Sequence, residues 1–208
     1  QPRTWVSNMP MQSPLMAFSQ PSASNRYGIK PLTSYGGYPV VSAKSMQLED
    51  YYNKDGKEVA GMAWGGTKNP VGQGRGEKPS IIPNQNYFKN DPIGYNALVK
   101  LEASRHWMNE NDYNPKFKIT PQMQKWRENK FKDLGEAGKA YLNDDNAFRQ
   151  TVISRFIGGD PNVPDFTDEL KGEIKKVETK LVDQENKSKP STSEMIMNAV
   201  KLAPSIRK

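Results

Sequence analysis

The chain has 208 residues, of which 35% are hydrophobic, and it holds 16 prolines, 16 glycines and no cysteine. An apolar share below the roughly 45–50% of globular domains limits the core, because burial has to offset an ordering cost of roughly 1–2 kcal/mol per residue. Without cysteine, disulfides, Cys-based zinc sites, iron–sulfur clusters and thioether-linked chromophores are excluded, and no apolar run approaches the ~18 residues of a membrane-crossing helix.

The formal charge is +7 and is concentrated at the ends. Residues 1–48 hold Arg3, Arg26, Lys30 and Lys44 and no acid, and residues 187–208 hold five bases against the single Glu194. The stretch between is close to neutral. Basic ends on a neutral body point to partners with acidic surfaces, either proteins or nucleic acid. The first residue is Gln1, which reads as a processed end or a fragment boundary. A processed end points to an organelle interior, such as the chloroplast stroma or mitochondrial matrix; a virion is the alternative setting.

Residues 1–92 read as an extended arm. Up to Tyr95 the chain carries 10 of its 16 prolines, 11 of its 16 glycines and seven of its nine tyrosines. Prolines 2, 10, 14, 21, 31 and 39 each fix φ and remove a backbone donor, which blocks a regular helix or central strand. Between them stand large apolar residues, among them Trp5, Met16, Phe18, Tyr27 and Tyr35. Such spacing fits a tether that places one anchor at a time in the grooves of a neighbour, because aromatic and Met side chains bury much area at low ordering cost or adapt their shape. Arg3, Arg26 and Lys30 add charge to the same segment, and Trp64 anchors a later glycine-rich loop. Asp55-Gly56, set between Tyr51-Tyr52 and Val59-Ala60, predicts a short hairpin near 51–60.

Residues 93–182 read as a helical body. The first helix is predicted near Ile93–Asn109, with Ala97, Leu98, Leu101 and Met108 on one face. The second starts at Thr120-Pro121, a cap residue followed by proline at the first helical position, carries Met123, Trp126, Phe131 and Leu134, and stops at Gly135. The third runs from Asp144 or Asp145 to Ile157 and ends on Gly158-Gly159. The fourth follows Thr167, where Leu170, Ile174, Val177 and Leu181 repeat at 4-3-4 spacing, the seam of a helix lying along another helix. Asp183–Lys189 reads as a polar linker. A fifth helix begins at Ser191 with the capping-box partner Glu194 and ends before Pro204, free to dock on this body or on a partner.

The chemistry-bearing patterns fail one by one. His106 is the only histidine, so a zinc site would need three carboxylates. Gly72–Ser80 resembles a phosphate loop, but Glu77 stands where the glycine before Lys78 is required. Asn53–Gly56 lacks both end ligands of a calcium loop, with Tyr51 at the first position and Met62 at the last. Asp144-Asp145 and Asp165-Asp168 sit at predicted helix starts, where capping explains them. Asn186-Lys187-Ser188 is a formal glycosylation sequon with nothing else pointing to secretion. Glu102 and Glu110 are the acids to test first if an unrecognised enzyme site exists.

The fold class expected is mainly α: a small C-terminal helical bundle preceded by a long Pro/Gly-rich arm with little regular structure. The function expected is that of a non-catalytic linker or scaffold subunit, without cofactor or metal, that holds several protein subunits of a large assembly together, such as a light-harvesting antenna or an organelle complex. Each arm anchor, if fully enclosed by a partner, contributes roughly 1.5–3 kcal/mol. The alternatives are a nucleic-acid-associated accessory protein such as a ribosomal subunit, a virion-internal or tail protein, and an enzyme whose site is not legible.

Overall fold

The computed structural model describes residues 29–42, 60–69, 74–133, 135–160 and 162–188. Among them are five helices, about half of the described residues, and two small sheets. The chain is mainly α, as expected from the sequence.

The first sheet is a miniature hairpin of β1 (Ser34–Tyr35) and β2 (Tyr38–Pro39). Gly36 and Gly37 form its two-residue turn with φ of 59° and 76°, the conformation that a tight hairpin requires at both central positions. The second sheet pairs β3 (Gly61–Trp64) with β4 (Ser80–Pro83) in antiparallel register, with Met62 opposite Ile82 and Ala63 opposite Ile81. The chain after β2 joins this sheet: Val40 bridges to Ile81 in parallel, and the Val41 amide donates to the Ile81 carbonyl at 2.9 Å.

The helices follow in order: α1 (Pro92–Glu110), α2 (Pro121–Phe131), α3 (Gly135–Asn143), α4 (Asp145–Ile157) and α5 (Asp168–Ser188). Their starts are set by local chemistry. The Asp91 carboxylate accepts from the Gly94 amide at 2.8 Å, Thr120 Oγ1 accepts from Met123 at 3.2 Å, and Asp144 accepts from Asn146 and Ala147 at 2.8 and 3.1 Å. Each satisfies amides that the first turn leaves without a helical partner. Proline occupies the first helical position of both α1 and α2.

Helix α1 is central. It packs against α4 and α5 on one side and against β3 and β4 on the other. The shared core holds Val99 and Ala103 of α1, Phe148, Val152 and Ile153 of α4, and Leu170, Val177 and Leu181 of α5, together with Ile81 and Tyr38. Between α1 and α2 the chain is extended, and helical side chains satisfy its backbone: Gln150 Nε2 and Arg149 Nε donate to the carbonyls of Tyr113 and Phe117 at 2.6 and 2.9 Å, while Glu169 accepts from the Lys118 amide at 2.9 Å.

Three differences from the sequence reading have physical causes. First, segments 29–42, 60–69 and 74–91 contribute to the core of the helical body, where the sequence alone makes them part of an arm. Their strands are two to four residues long, too short to show a period, yet Ile81 and Ile82 are fully buried. Second, a helix begins at Gly135 where a stop was expected. Helix α3 is held by the ring of the buried Tyr141, 4.9 Å from that of Phe131, and one aromatic anchor makes no stripe. Third, the predicted linker from Asp183 is helical to Ser188, where Gln184 and Glu185 meet residues 34–38, a partner distant in sequence. The hairpin predicted near 51–60, apart from Ala60, and the helix predicted from Ser191 lie outside the described residues.

Candidate interaction site

Residues 29–42, a strap, cross α1 and α5 and are joined to both by hydrogen bonds between parts of the chain more than 60 residues apart. The strap is held by its backbone. Asn96 of α1 grips it twice: its Oδ1 accepts from the Leu32 amide at 2.8 Å, and its Nδ2 donates to the Lys30 carbonyl at 3.1 Å. Glu185 of α5 accepts from Ser34 Oγ at 3.0 Å and from the Gly37 amide at 2.6 Å. The acceptor carries charge in both, and the Gly37 bond is short, as charge-assisted bonds are. Gly36 presses on Leu181, so a side chain there would collide with α5, and Gly37 lies against Gln184, where a Cβ would be tight.

Two tyrosines flank the turn. Tyr38 is 5% exposed, stacks on His106 with centroids 5.1 Å apart and planes 15° apart, and has Gln184 as a hydrogen-bond partner. Tyr35 is half-buried, with the Lys100 ammonium 5.9 Å from its ring centroid. Burial pushes both phenols above their usual range, and for Tyr35 the carboxylates of Glu178 and Glu185 push the same way.

A second clamp holds the β3–β4 hairpin to the C-terminal half of α1. His106 Nε2 lies 3.0 Å from the Ser80 carbonyl, and the Trp64 backbone is a further hydrogen-bond partner of the ring. One turn on, Glu110 accepts from the Thr67 amide at 3.0 Å, Thr67 Oγ1 at 2.6 Å and the Lys68 amide at 3.0 Å. Burial works to raise the Glu110 carboxyl, but the loop donors outweigh it and hold the group below the usual carboxylate range. Burial also holds the His106 imidazole below its ordinary value, and the Ser80 carbonyl recovers only part of the shift. Both groups are spent on joining elements, with their polar atoms facing backbone and hydroxyl partners.

A third set of charges pins the helices. Arg155 pairs with Asp160 in the interior, and Arg127 reaches Asp145 at 2.7 Å and the Tyr141 carbonyl at 2.6 Å. Glu102 is 1% exposed, and its nearest ion-pair contact is Arg105 at 3.6 Å; burial raises its pKa. Among the described residues no group of three or more His, Asp or Glu is placed to hold a metal ion, and no helix is long and apolar enough to cross a membrane.

Of the nine residues singled out as partner contacts, the structure describes three. Lys30 gives its carbonyl to Asn96 and leaves its side chain exposed. Tyr35 packs on the body through the strap. Trp64 lies across Gly74 and donates from Nε1 to Glu77 at 2.9 Å. The structure brings Lys30 and Tyr35 together in the strap and leaves Trp64 in the hairpin loop. Trp5, Met16, Phe18, Tyr27, Arg3 and Arg26 lie outside the described residues. Sequence reasoning missed Asn96, Glu185, Gly36 and Gly37. The last two were announced by Tyr-Gly-Gly-Tyr, a two-residue turn signal between strand-forming residues; Asn96 and Glu185 carry no signal, because each is one polar residue on a solvated helix face.

No family model matches the chain, and neither a curated protein nor a solved structure matches it.

Proposed function

We propose that this chain is a non-catalytic scaffold subunit whose N-terminal segment, residues 1–28, fastens partner proteins with acidic surfaces to a compact helical body. The observation that supports this reading is the strap. A Pro/Gly-rich stretch with spaced tyrosines is captured by a folded surface through two main-chain grips and two aromatic anchors. Residues 1–28 have the same character, with prolines between Trp5, Met16, Phe18 and Tyr27 and no acid. The physics that holds the strap in cis is available to the preceding residues in trans, each enclosed anchor contributing roughly 1.5–3 kcal/mol. The strap also fixes the root of that segment, since Lys30 is tied to α1.

The test compares the full chain with its Trp5→Ala/Phe18→Ala variant. The expected result is that the variant loses association with partner proteins of the assembly while its melting temperature is unchanged. A matched loss of both would mean that these residues serve the body itself. Nucleic acid is the competing partner class; binding that falls steeply with salt would favour it, and no binding near about 50 mM salt would remove it.

A further inference from the structure

The strap has the features of a docked peptide more than those of an integral strand. It is pre-shaped by its own two-residue turn, its backbone is read by Asn96 and Glu185, its knob at Gly36-Gly37 fits against Leu181 and Gln184, and its trailing end adds to the edge of β4 through Val41. Main-chain grips combined with strand addition are the mode by which folded domains take up extended segments.

The connection to the rest of the fold is far longer than seating in cis requires. Val41 bonds to Ile81, and the next described residue past the gap, Ala60, accepts from the Asn84 amide at 2.8 Å. Ile81 and Asn84 lie three residues apart along the line of β4, about 10 Å, and Val41 and Ala60 flank its two edges, about 10 Å across, so the ends to be joined are about 14 Å apart. Residues 43–59, seventeen in all, join them, and a chain of that length spans up to ~56 Å when extended. A pre-shaped module on a connection of this reach can seat against its own α1 and α5 or against those of a neighbour with the same contacts from residues 29–41, which is the condition for exchange of an identical element between copies.

We propose that residues 29–41 are an exchangeable docking module, seated in the α1–α5 groove of their own copy and able to seat in the same groove of a second copy of this chain. Exchange links copies through the segment that roots residues 1–28, so it extends the scaffold reading by naming one of the partners. A failure of exchange leaves the role of residues 1–28 untouched, because the Trp5/Phe18 comparison decides that separately.

The absence of native cysteine makes the test direct. One full-length copy carries Thr33→Cys, beside the strap contact. A second carries Ser188→Cys, one turn beyond Glu185. Both positions are exposed. The two are mixed at high concentration and treated with a short thiol cross-linker. The background comes from pairing Thr33→Cys with a copy carrying Lys125→Cys, on α2, which makes none of the strap's hydrogen bonds. The expected result is a 33–188 yield several-fold above the 33–125 yield, falling to that background when the receiving copy also carries Asn96→Ala and Glu185→Gln. Gly36→Val on the donating copy is expected to remove the signal in the same way, and it keeps the test decisive if the receiving variant is poorly folded. Equal 33–188 and 33–125 yields, or a 33–188 yield indifferent to these substitutions, would overturn the proposal.

Discussion

Gly36 shows how one residue without a side chain decides where a segment lies. Its φ of 59° is left-handed, and the place of a Cβ is taken by the Leu181 side chain. Gly36→Ala therefore meets strain and collision together, and a left-handed non-glycine residue alone costs of order 1–3 kcal/mol. Denaturant unfolding of the variant is expected to show a loss in that range; no loss would mean that the strap is not seated on α5.

His106 and Glu110 make a different kind of residue-level statement. The groups facing them are Tyr38 from the strap, the Ser80 carbonyl, the Trp64 backbone and the loop donors Thr67 and Lys68 from the hairpin, with Lys68 also paired to Asp112 at 3.0 Å. Both pKa values are depressed in the folded chain. A depressed group binds fewer protons folded than unfolded, so its stabilisation is present above the unfolded value and is lost as pH falls through the folded one. For His106 the loss begins as pH drops below about 6.5, and Glu110 adds to it below about 4.3. Melting temperature is expected to fall between pH 7 and pH 5, with a smaller fall in His106→Gln, whose amide keeps a donor for Ser80 but does not titrate. An equal slope in both proteins would show that another group carries the dependence.

Among the elements, legibility followed the kind of force that holds each one. Helix α4 was readable because its cap, its apolar face and its glycine stop all lie within its own sequence. Asp144→Ala is expected to lower stability by about 1 kcal/mol, read from chemical denaturation, because two amides of the first turn lose their acceptor. Helix α5 was readable along its seam, where Leu170, Val177 and Leu181 are fully buried. Its last turn was not, because Glu185 is there to receive the strap, a partner more than 140 residues away in the chain. Helix α3 and the β3–β4 pair were missed for a related reason: one ring, or two adjacent isoleucines, makes no period. The strap itself was half-legible. In sequence its prolines and Tyr35 read as contacts for other chains, whereas Tyr35 packs on this one together with Tyr38, which the sequence does not single out.

For the molecule as a whole, the low apolar content is met by economy. One central helix serves two layers, and the residues that looked too poor to fold contribute Tyr38 and Ile81 to the same core as Phe148 and Leu181. Polar grips do the rest: Asn96 and Glu185 hold the strap, while His106 and Glu110 hold the hairpin. The candidate interaction site was therefore legible as a composition and not as a place, since the place is made by helix residues that signal nothing alone. The proposed scaffold role depends on this capture being real, because it is the pattern that residues 1–28 are proposed to repeat on partners. Hydrogen exchange of the dilute full chain tests it through the amides of Leu32, Gly37 and Val41, which donate to α1, α5 and β4 respectively. They are expected to exchange far more slowly than unstructured amides, and Glu185→Gln with Asn96→Ala should accelerate Leu32 and Gly37 while leaving the amides of α4 unchanged. Exchange of all three at unfolded rates in the native chain would contradict the capture and, with it, the reading built on it.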